Sequence, residues 1–309
     1  MTQSFPSELE APRASIRDRI LILRSFENFA GLDNDALTLI AEHARARVFR
    51  QGDVICEEGE APRWLQLVVE GQVTVTRGAA SSLVVKAGQG FGLLPIVGGG
   101  RMGLAVANID TRTLEIPAAA LLTALEESFS LLRASLLLLS RSILRSRGNL
   151  PAAPDAAPSA DPGIPDDRPS TPIERLLKLR TTPFGNISID ALLDLSRQII
   201  ECRVEAGHVF WSTGEPSTHA LHVNHGQVRC TASDGRHVDV GGDFTLGVMD
   251  LWGAQARSYE ARALTAVSAW RVNFEDFLSM LETHVAVGLN VLQGLARMHL
   301  ATIENDDNR

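Results

Sequence analysis

The residue types best able to do chemistry in this chain are three evenly spaced histidines, His219, His222 and His225, and three cysteines, Cys56, Cys202 and Cys230. An H-x-x-H-x-x-H run could offer three imidazoles to zinc if all three shared one face. The run lies in a strand-like segment, where successive side chains alternate faces, so His222 points away from the other two and a three-histidine centre is not expected. The cysteines are scattered and form no C-x-x-C pair, which argues against a disulfide framework, a redox dithiol and a zinc knuckle. Gly98, Gly99 and Gly100 could curl around a phosphate, but no G-x-x-x-x-G-K-[ST] loop occurs. A nucleophile elbow and an H-E-x-x-H helix are missing too, so the chain reads as a non-enzyme.

Charge narrows the partners. With 37 acidic and 29 basic residues the formal charge is -8, a poor balance for holding DNA, RNA or an anionic membrane surface. The N-terminus has no basic start followed by an apolar core. The longest leucine run, Leu136 to Leu139, is far short of the ~20 apolar residues a bilayer span needs. A cytoplasmic protein is expected, without nucleic acid or membrane partners. Its 309 residues suit two domains of ordinary size.

Proline marks the joint between them. Seven of the fourteen prolines fall between Gly148 and Pro172, in a stretch nearly free of large apolar residues. Such a segment buries too little surface to offset its ordering entropy, so residues 148–172 are expected to be a flexible linker. A helix start follows, with Thr171 as N-cap, Pro172 in the first helical position and Glu174 reaching back.

The two sides of the linker are related. Asp35-Ala36-Leu37 recurs as Asp190-Ala191-Leu192, Gly59-Glu60 as Gly214-Glu215, Gly71-Gln72-Val73 as Gly226-Gln227-Val228, and Gly92 as Gly247, each offset by 155 positions. A constant offset over so many residues means a tandem duplication of one whole domain. In each copy a capped helix, started by Asp33 or Ser188, precedes short β-type segments punctuated by glycine. A leucine-rich helical stretch then closes the copy, Ala118 to Arg147 or Phe274 to Glu304. The expected fold is α+β and mainly β: two antiparallel β-rolls of the jelly-roll type, each flanked by helices. The expected organisation is a disordered tail over 1–15, domains over 16–147 and 173–305, and the linker between them.

At these residues the chain resembles the cyclic-nucleotide-binding domain family, as in the Crp/Fnr regulators and the regulatory subunit of cyclic-AMP-dependent protein kinase. Residues 51–60, QGDVICEEGE, are similar to the family's opening hairpin, and residues 69–75, VEGQVTV, to its central strand pair. In that family a cassette patterned F-G-E, followed about ten residues later by P-R-[ST]-A, holds the ligand. The resemblance implies that backbone N–H groups and the arginine meet a cyclic phosphate, while the glutamate pairs with the ribose hydroxyl. Here the first cassette runs Phe91-Gly92-Leu93-Leu94-Pro95 and then Gly100-Arg101-Met102-Gly103. The second runs Leu246-Gly247-Val248-Met249-Asp250 and then Ala256-Arg257-Ser258-Tyr259. Arg101 and Arg257 take the register of the phosphate arginine, and Ser258 completes the R-[ST] step. Leu93 and Val248 replace the glutamate, so both copies lose the ribose contact. Leaving the sugar hydroxyl unpaired costs about 1–3 kcal/mol. Gly103 and Tyr259 stand where the family has alanine, and Tyr259 could narrow the pocket or stack on a base.

The implied ligands are cyclic AMP, cyclic GMP or a cyclic dinucleotide, and the implied role is that of a non-enzymatic regulatory or adaptor protein. A ligand-independent protein-interaction scaffold with vestigial pockets stays open beside it. A protein partner is expected in either case. The seams Leu132, Leu136, Leu139, Ile143 and Val285, Leu289, Leu292, Ala296 repeat at spacings of three and four, so a homodimer through the closing helices is a second expectation, with packing on each roll as its rival. After Glu304 too few residues remain here for the DNA-reading module of Crp/Fnr regulators.

Overall fold

The computed structural model describes residues 15–78, 81–147, 150–151, 168–181, 187–253 and 255–306. The tail expected over 1–15 and the linker expected over 148–172 fall mostly outside them. By packing, the chain forms two units. The first joins the residues up to Ser135 with those from Val291 onward, and the second runs from Leu136 to Asn290. The dividing points fall inside the two long closing helices, where the sequence reading kept each helix whole with its own roll.

The first unit opens with α1 (Ile16–Arg24), α2 (Glu27–Ala30) and α3 (Asn34–His43). Ser15 and Asp18 form a reciprocal capping box on α1, and Asp33 Oδ1 accepts the Ala36 N–H at 2.8 Å to start α3. The roll follows as β1 (Arg45–Phe49), β2 (Val54–Cys56), β3 (Trp64–Glu70), β4 (Gln72–Arg77), β5 (Ser81–Lys86) and β6 (Gly90–Phe91). A short helix, α4 (Leu93–Gly98), interrupts it before β7 (Leu104–Ala107) and β8 (Thr111–Pro117). Two antiparallel sheets result, ordered β1-β8-β3-β6 and β2-β7-β4-β5. Between them lie Val68, Val73, Val85, Phe91, Met102 and Ala105, all buried. The unit closes with α5 (Ala118–Glu127) and the start of α6 (Phe129–Arg147).

The second unit repeats this plan after α7 (Pro172–Thr181) and α8 (Ile189–Gln198). Its strands are β9 (Ile200–Val204), β10 (Val209–Trp211), β11 (His219–His225), β12 (Val228–Ala232), β13 (His237–Val240) and β14 (Phe244–Leu246). The short helix α9 (Val248–Trp252) then precedes β15 (Tyr259–Ala263) and β16 (Val267–Asn273). The sheets order as β9-β16-β11-β14 and β10-β15-β12-β13, strand for strand the pattern of the first unit. The Thr171 box on α7 forms as expected, Thr171 N–H donating to Glu174 Oε2 at 2.8 Å and Glu174 N–H to Thr171 Oγ1 at 3.3 Å. Ser188 likewise caps α8, its Oγ accepting the Ala191 N–H at 3.2 Å.

One glycine pair shows why the 155-residue offset survives. Gly71 and Gly226 turn β3 into β4 and β11 into β12 at φ +97° and +92°. A side chain there would collide with the backbone of Thr111 or Ala266 as well as being strained.

The closing stretches are each two helices, where the sequence suggested one. Ser128 is extended (φ -124°, ψ 104°) between α5 and α6, and its Oγ accepts the Leu131 N–H at 3.3 Å to restart the helix. His284 (φ -122°, ψ 67°) separates α10 (Phe274–Thr283) from α11 (Val285–Asp306). Serine competes with the helix ladder through its own hydroxyl, a local choice that apolar periodicity does not register.

The leucine seam is buried within one chain: Leu132 and Leu136 are 0 % exposed, Leu139 4 % and Ile143 2 %. Leu292 and Ala296 are buried as well. Leu132→Ala and Leu136→Ala are each expected to lower stability by about 2–5 kcal/mol in urea unfolding. Because this seam is already covered, sedimentation at micromolar concentration should give a monomer.

Candidate functional site

Each roll carries its short helix, α4 or α9, in the loop between its sixth and seventh strands, the place of the cassette. Both helices start at a left-handed glycine, Gly92 at φ +101° and Gly247 at φ +78°. Within the first unit the far end of α4 meets α11: a Cβ on Gly98 would sit 2.9 Å from Leu300 Cδ1, and one on Gly100 3.1 Å. Gly98 and Gly100 therefore admit an apolar side chain, while Gly99 has open space around it. Within the second unit α6 plays this part, with Leu144 against Gly253 and Arg141 Nε donating to the Gly253 carbonyl at 3.0 Å.

Two backbone hydrogen bonds fix which residue enters each roll after the short helix. In the first unit Gly59 N–H donates to the Met102 carbonyl at 2.9 Å, and Met102 N–H to the Glu60 carbonyl at 3.0 Å. In the second, Gly214 N–H donates to the Arg257 carbonyl and Arg257 N–H to the Glu215 carbonyl, both at 2.8 Å. Gly59-Glu60 and Gly214-Glu215 are repeat partners, so Met102 is the structural counterpart of Arg257. This corrects the sequence register, which matched Arg101 to Arg257, by one residue. The same shift pairs Gly103 with Ser258 and Leu104 with Tyr259, since β7 and β15 start at Leu104 and Tyr259.

The consequence for the first unit is large. Arg101 lies on the surface, its Nη1 3.3 Å from the Gly59 carbonyl, and its own carbonyl accepts from Arg77. Met102 points inward and is 6 % exposed in the roll core. Leu93 opens α4, half-buried, and Gly103 lies close against the Thr76 carbonyl. The residues of the first cassette bring no charged group into the roll.

The second unit does enclose a charge. Arg257 is 1 % exposed, with its guanidinium carbon 4.0 Å from the centre of the Trp211 ring. Its Nη1 donates to the Gly247 carbonyl at 3.4 Å and its Nη2 to the His219 carbonyl, while Nε has no hydrogen-bond partner among the described residues. Tyr259, also buried, accepts the Gly247 N–H on its hydroxyl oxygen at 2.9 Å. Ser258 is held by Asp250, which accepts the Ser258 hydroxyl at 2.7 Å and the Ser258 N–H at 3.2 Å. Burial raises the Asp250 pKa and lowers that of Arg257, each opposed by the other's charge. Val248 opens α9, half-buried, and offers no polar atom beyond its backbone.

The structure thus brings Gly247, Arg257, Ser258 and Tyr259 together around Trp211 and Asp250. Neither of those two was singled out as part of this site. Asp250 could have been found from its place inside the cassette. Trp211 could not, because it arrives from β10. The three histidines do not converge: His219 packs edge-on against Trp211 at 5.7 Å and His222 lies against Trp270 at 5.9 Å. Trp252 is a core residue, packed on Phe274 and Phe277.

Tyr259→Phe removes the acceptor of the Gly247 N–H and should lower stability by about 1–3 kcal/mol in chemical unfolding. A pH dependence follows as well. Burial is the main cause that pushes His219 and His222 down to about 4 from 6.5, helped by the charges of Arg257 and Lys178. The unfolded chain then takes up protons first, so stability is full above 6.5 and falls as pH drops toward 4. Thermal melts of the His219→Gln, His222→Gln double variant should be flatter across that window.

Two stretches of the chain, residues 46–128 and 201–284, match the family model described as cyclic nucleotide-binding domain. No match was found among curated proteins. Among solved structures, the chain is similar to the regulatory subunit of a cAMP-independent protein kinase A from Trypanosoma brucei, at 16% identity and TM-score 0.35, over 92% of this chain and 88% of that one. It is also similar to the N-terminal domain of a transcriptional regulator from Streptomyces coelicolor A3(2), at 25% identity and TM-score 0.36, over 40% and 93%. A putative cyclic nucleotide-binding protein from Geobacter metallireducens gives 21% identity and TM-score 0.37, over 40% and 95%. These TM-scores are too low for any of the three to bear on function. The two matched stretches span more than half of the 309 residues, one in each roll, and the chain belongs to the cyclic nucleotide-binding domain family as a tandem pair.

Proposed function

We propose that the protein is a non-enzymatic regulatory or adaptor protein of the cytoplasm whose two domains engage a protein partner without a cyclic nucleotide. One observation carries this reading: the Tyr259 hydroxyl already accepts the Gly247 N–H, where the family's ligand would place a phosphate oxygen. Around it the chain supplies its own partners to the remaining groups. Arg257 donates to two carbonyl oxygens and stacks on Trp211, and Ser258 is tied to Asp250. In the first unit Met102 stands in the arginine's place. A phosphate entering the second roll would have to displace Tyr259 and draw Arg257 from its carbonyls, and a charged hydrogen bond is worth about 1.5–3 kcal/mol.

A second reading, a sensor of cyclic AMP, cyclic GMP or a cyclic dinucleotide, is favoured by the buried Arg257, whose Nε has no partner among the described residues. Titration calorimetry on the full chain with each of the three ligand types separates the two. The adaptor reading expects no heat at about millimolar ligand, which corresponds to roughly 4 kcal/mol or less of binding free energy. Binding that disappears in Arg257→Ala overturns it in favour of the sensor. Binding unaffected by both Arg257→Ala and Arg101→Ala would place the ligand outside the cassettes.

A further inference from the structure

Arg168-Pro169-Ser170-Thr171-Pro172 leads into α7 within the second unit. Prolines stand two positions before Thr171 and directly after it, a pattern that proline-directed serine/threonine kinases accept. Thr171 is exposed, and residues 168–171 lie outside any helix or strand. Proline keeps the residue before it out of helical geometry, so Thr171 is presented in the extended form that a kinase groove takes. The other Thr-Pro step of the chain, Thr182-Pro183, has Arg180 two positions before the threonine instead of proline.

Helix capping alone does not call for this pattern. In the first unit Ser15 and Asp18 form the same kind of box, and Ile16, not proline, follows the serine. Around Thr171 the groups are arranged to hold anionic oxygens. Arg168 grips the Glu174 carboxylate with both arms of its fork, Nη1 donating to Oε2 at 3.0 Å and Nη2 to Oε1 at 2.5 Å. The Thr171 hydroxyl donates to the same Oε2 at 3.0 Å. Arg168 first, and then Thr171, hold the Glu174 carboxyl at about 2 instead of its ordinary 4.5. Beside them Glu201 accepts the Ser170 N–H at 2.9 Å and Arg175 Nε at 3.2 Å, and Arg203 donates to the Arg168 carbonyl. Residues 168–181 hold four basic side chains and one acidic one, in a chain of formal charge -8.

We propose that Thr171 is a phosphorylation site for a proline-directed serine/threonine kinase, and that its phosphate draws Arg168 away from Glu174. The Thr171 hydroxyl oxygen bonds to the γ-phosphorus of ATP, its proton passes to the catalytic aspartate of the kinase, and ADP leaves. The new group brings a charge of about -1.5 to -2 beside the Glu174 carboxylate. Like charges repel, and the fork of Arg168 suits phosphate oxygens as well as a carboxylate, so the guanidinium changes partner. The box between Thr171 and Glu174 opens with that exchange, and the modification acts on the first turn of α7. No residue of either cassette takes part, so the site stands whether or not the adaptor reading holds.

The full chain, incubated with ATP and a purified mitogen-activated protein kinase, tests this by peptide mass spectrometry. Phosphate is expected on Thr171, and none at that position in Thr171→Val. Thr171→Ser keeps both the cap and the acceptor hydroxyl and should be modified as the wild type is; thermal melts check that both variants fold. Phosphorus NMR then reads the second ionisation of the bound phosphate, which lies near pKa ~6 when nothing pairs with it. Arg168→Gln, which leaves both prolines in place, should raise that value by about 0.5 or more relative to the wild type. The proposal is overturned if the wild-type chain stays unmodified, or carries phosphate only on other hydroxyls, Ser170 and Thr182 included. It is equally overturned if Arg168→Gln leaves the phosphate titration unchanged.

Discussion

A pair of backbone hydrogen bonds decides what each roll contains. The opening hairpin grips one residue just before the seventh strand, and that residue's side chain must point inward. In the first unit the gripped residue is Met102, and the roll fills with apolar side chains. In the second it is Arg257, and a guanidinium must be accommodated where hydration is lost. Everything unusual about the second roll follows from that accommodation. Trp211 offers its ring face, the Gly247 and His219 carbonyls accept N–H groups, and Asp250 balances the charge nearby.

An arginine so placed is both a structural group and a potential anion contact, and its neighbours tilt the balance. Tyr259 takes the backbone N–H of Gly247, while Arg257 Nε and Trp211 Nε1 have no partner among the described residues. A buried hydrogen-bond network with nearly all members paired rigidifies its surroundings. The proposed adaptor role rests on this pairing. The first unit has the opposite character. Its cassette is apolar, with Met102 buried in the place that Arg257 takes in the sister roll.

The closing helices add a second constraint. Gly98, Gly100 and Gly253 have no side chains because Leu300 and Leu144 occupy that space. Glycines that read as a loosened loop are the condition for close helix contact. The leucine seam was equally ambiguous in sequence, since periodicity of three and four serves a dimer and a core alike. Leu132, Leu136, Leu139 and Ile143 are buried within one chain, while Val285 and Leu289 of the second seam are half-buried.

The sequence by itself determined the duplication, the β-roll class, the capped helices at Asp33, Thr171 and Ser188, and the loss of the cassette glutamate at Leu93 and Val248. These are local or positional properties: caps depend on a residue and its neighbours three along, and turns on glycines at fixed offsets. The 155-residue offset itself pairs Met102, not Arg101, with Arg257, and the tertiary structure shows what holds both there. Hydrogen bonds from a hairpin some forty residues earlier set the register of the loop after the short helix. Only the tertiary structure showed the Trp211 platform under Arg257 and the Tyr259 bond to Gly247. Each joins groups from separate elements of the roll, and strand pairing, unlike helix periodicity, is not written in adjacent residues.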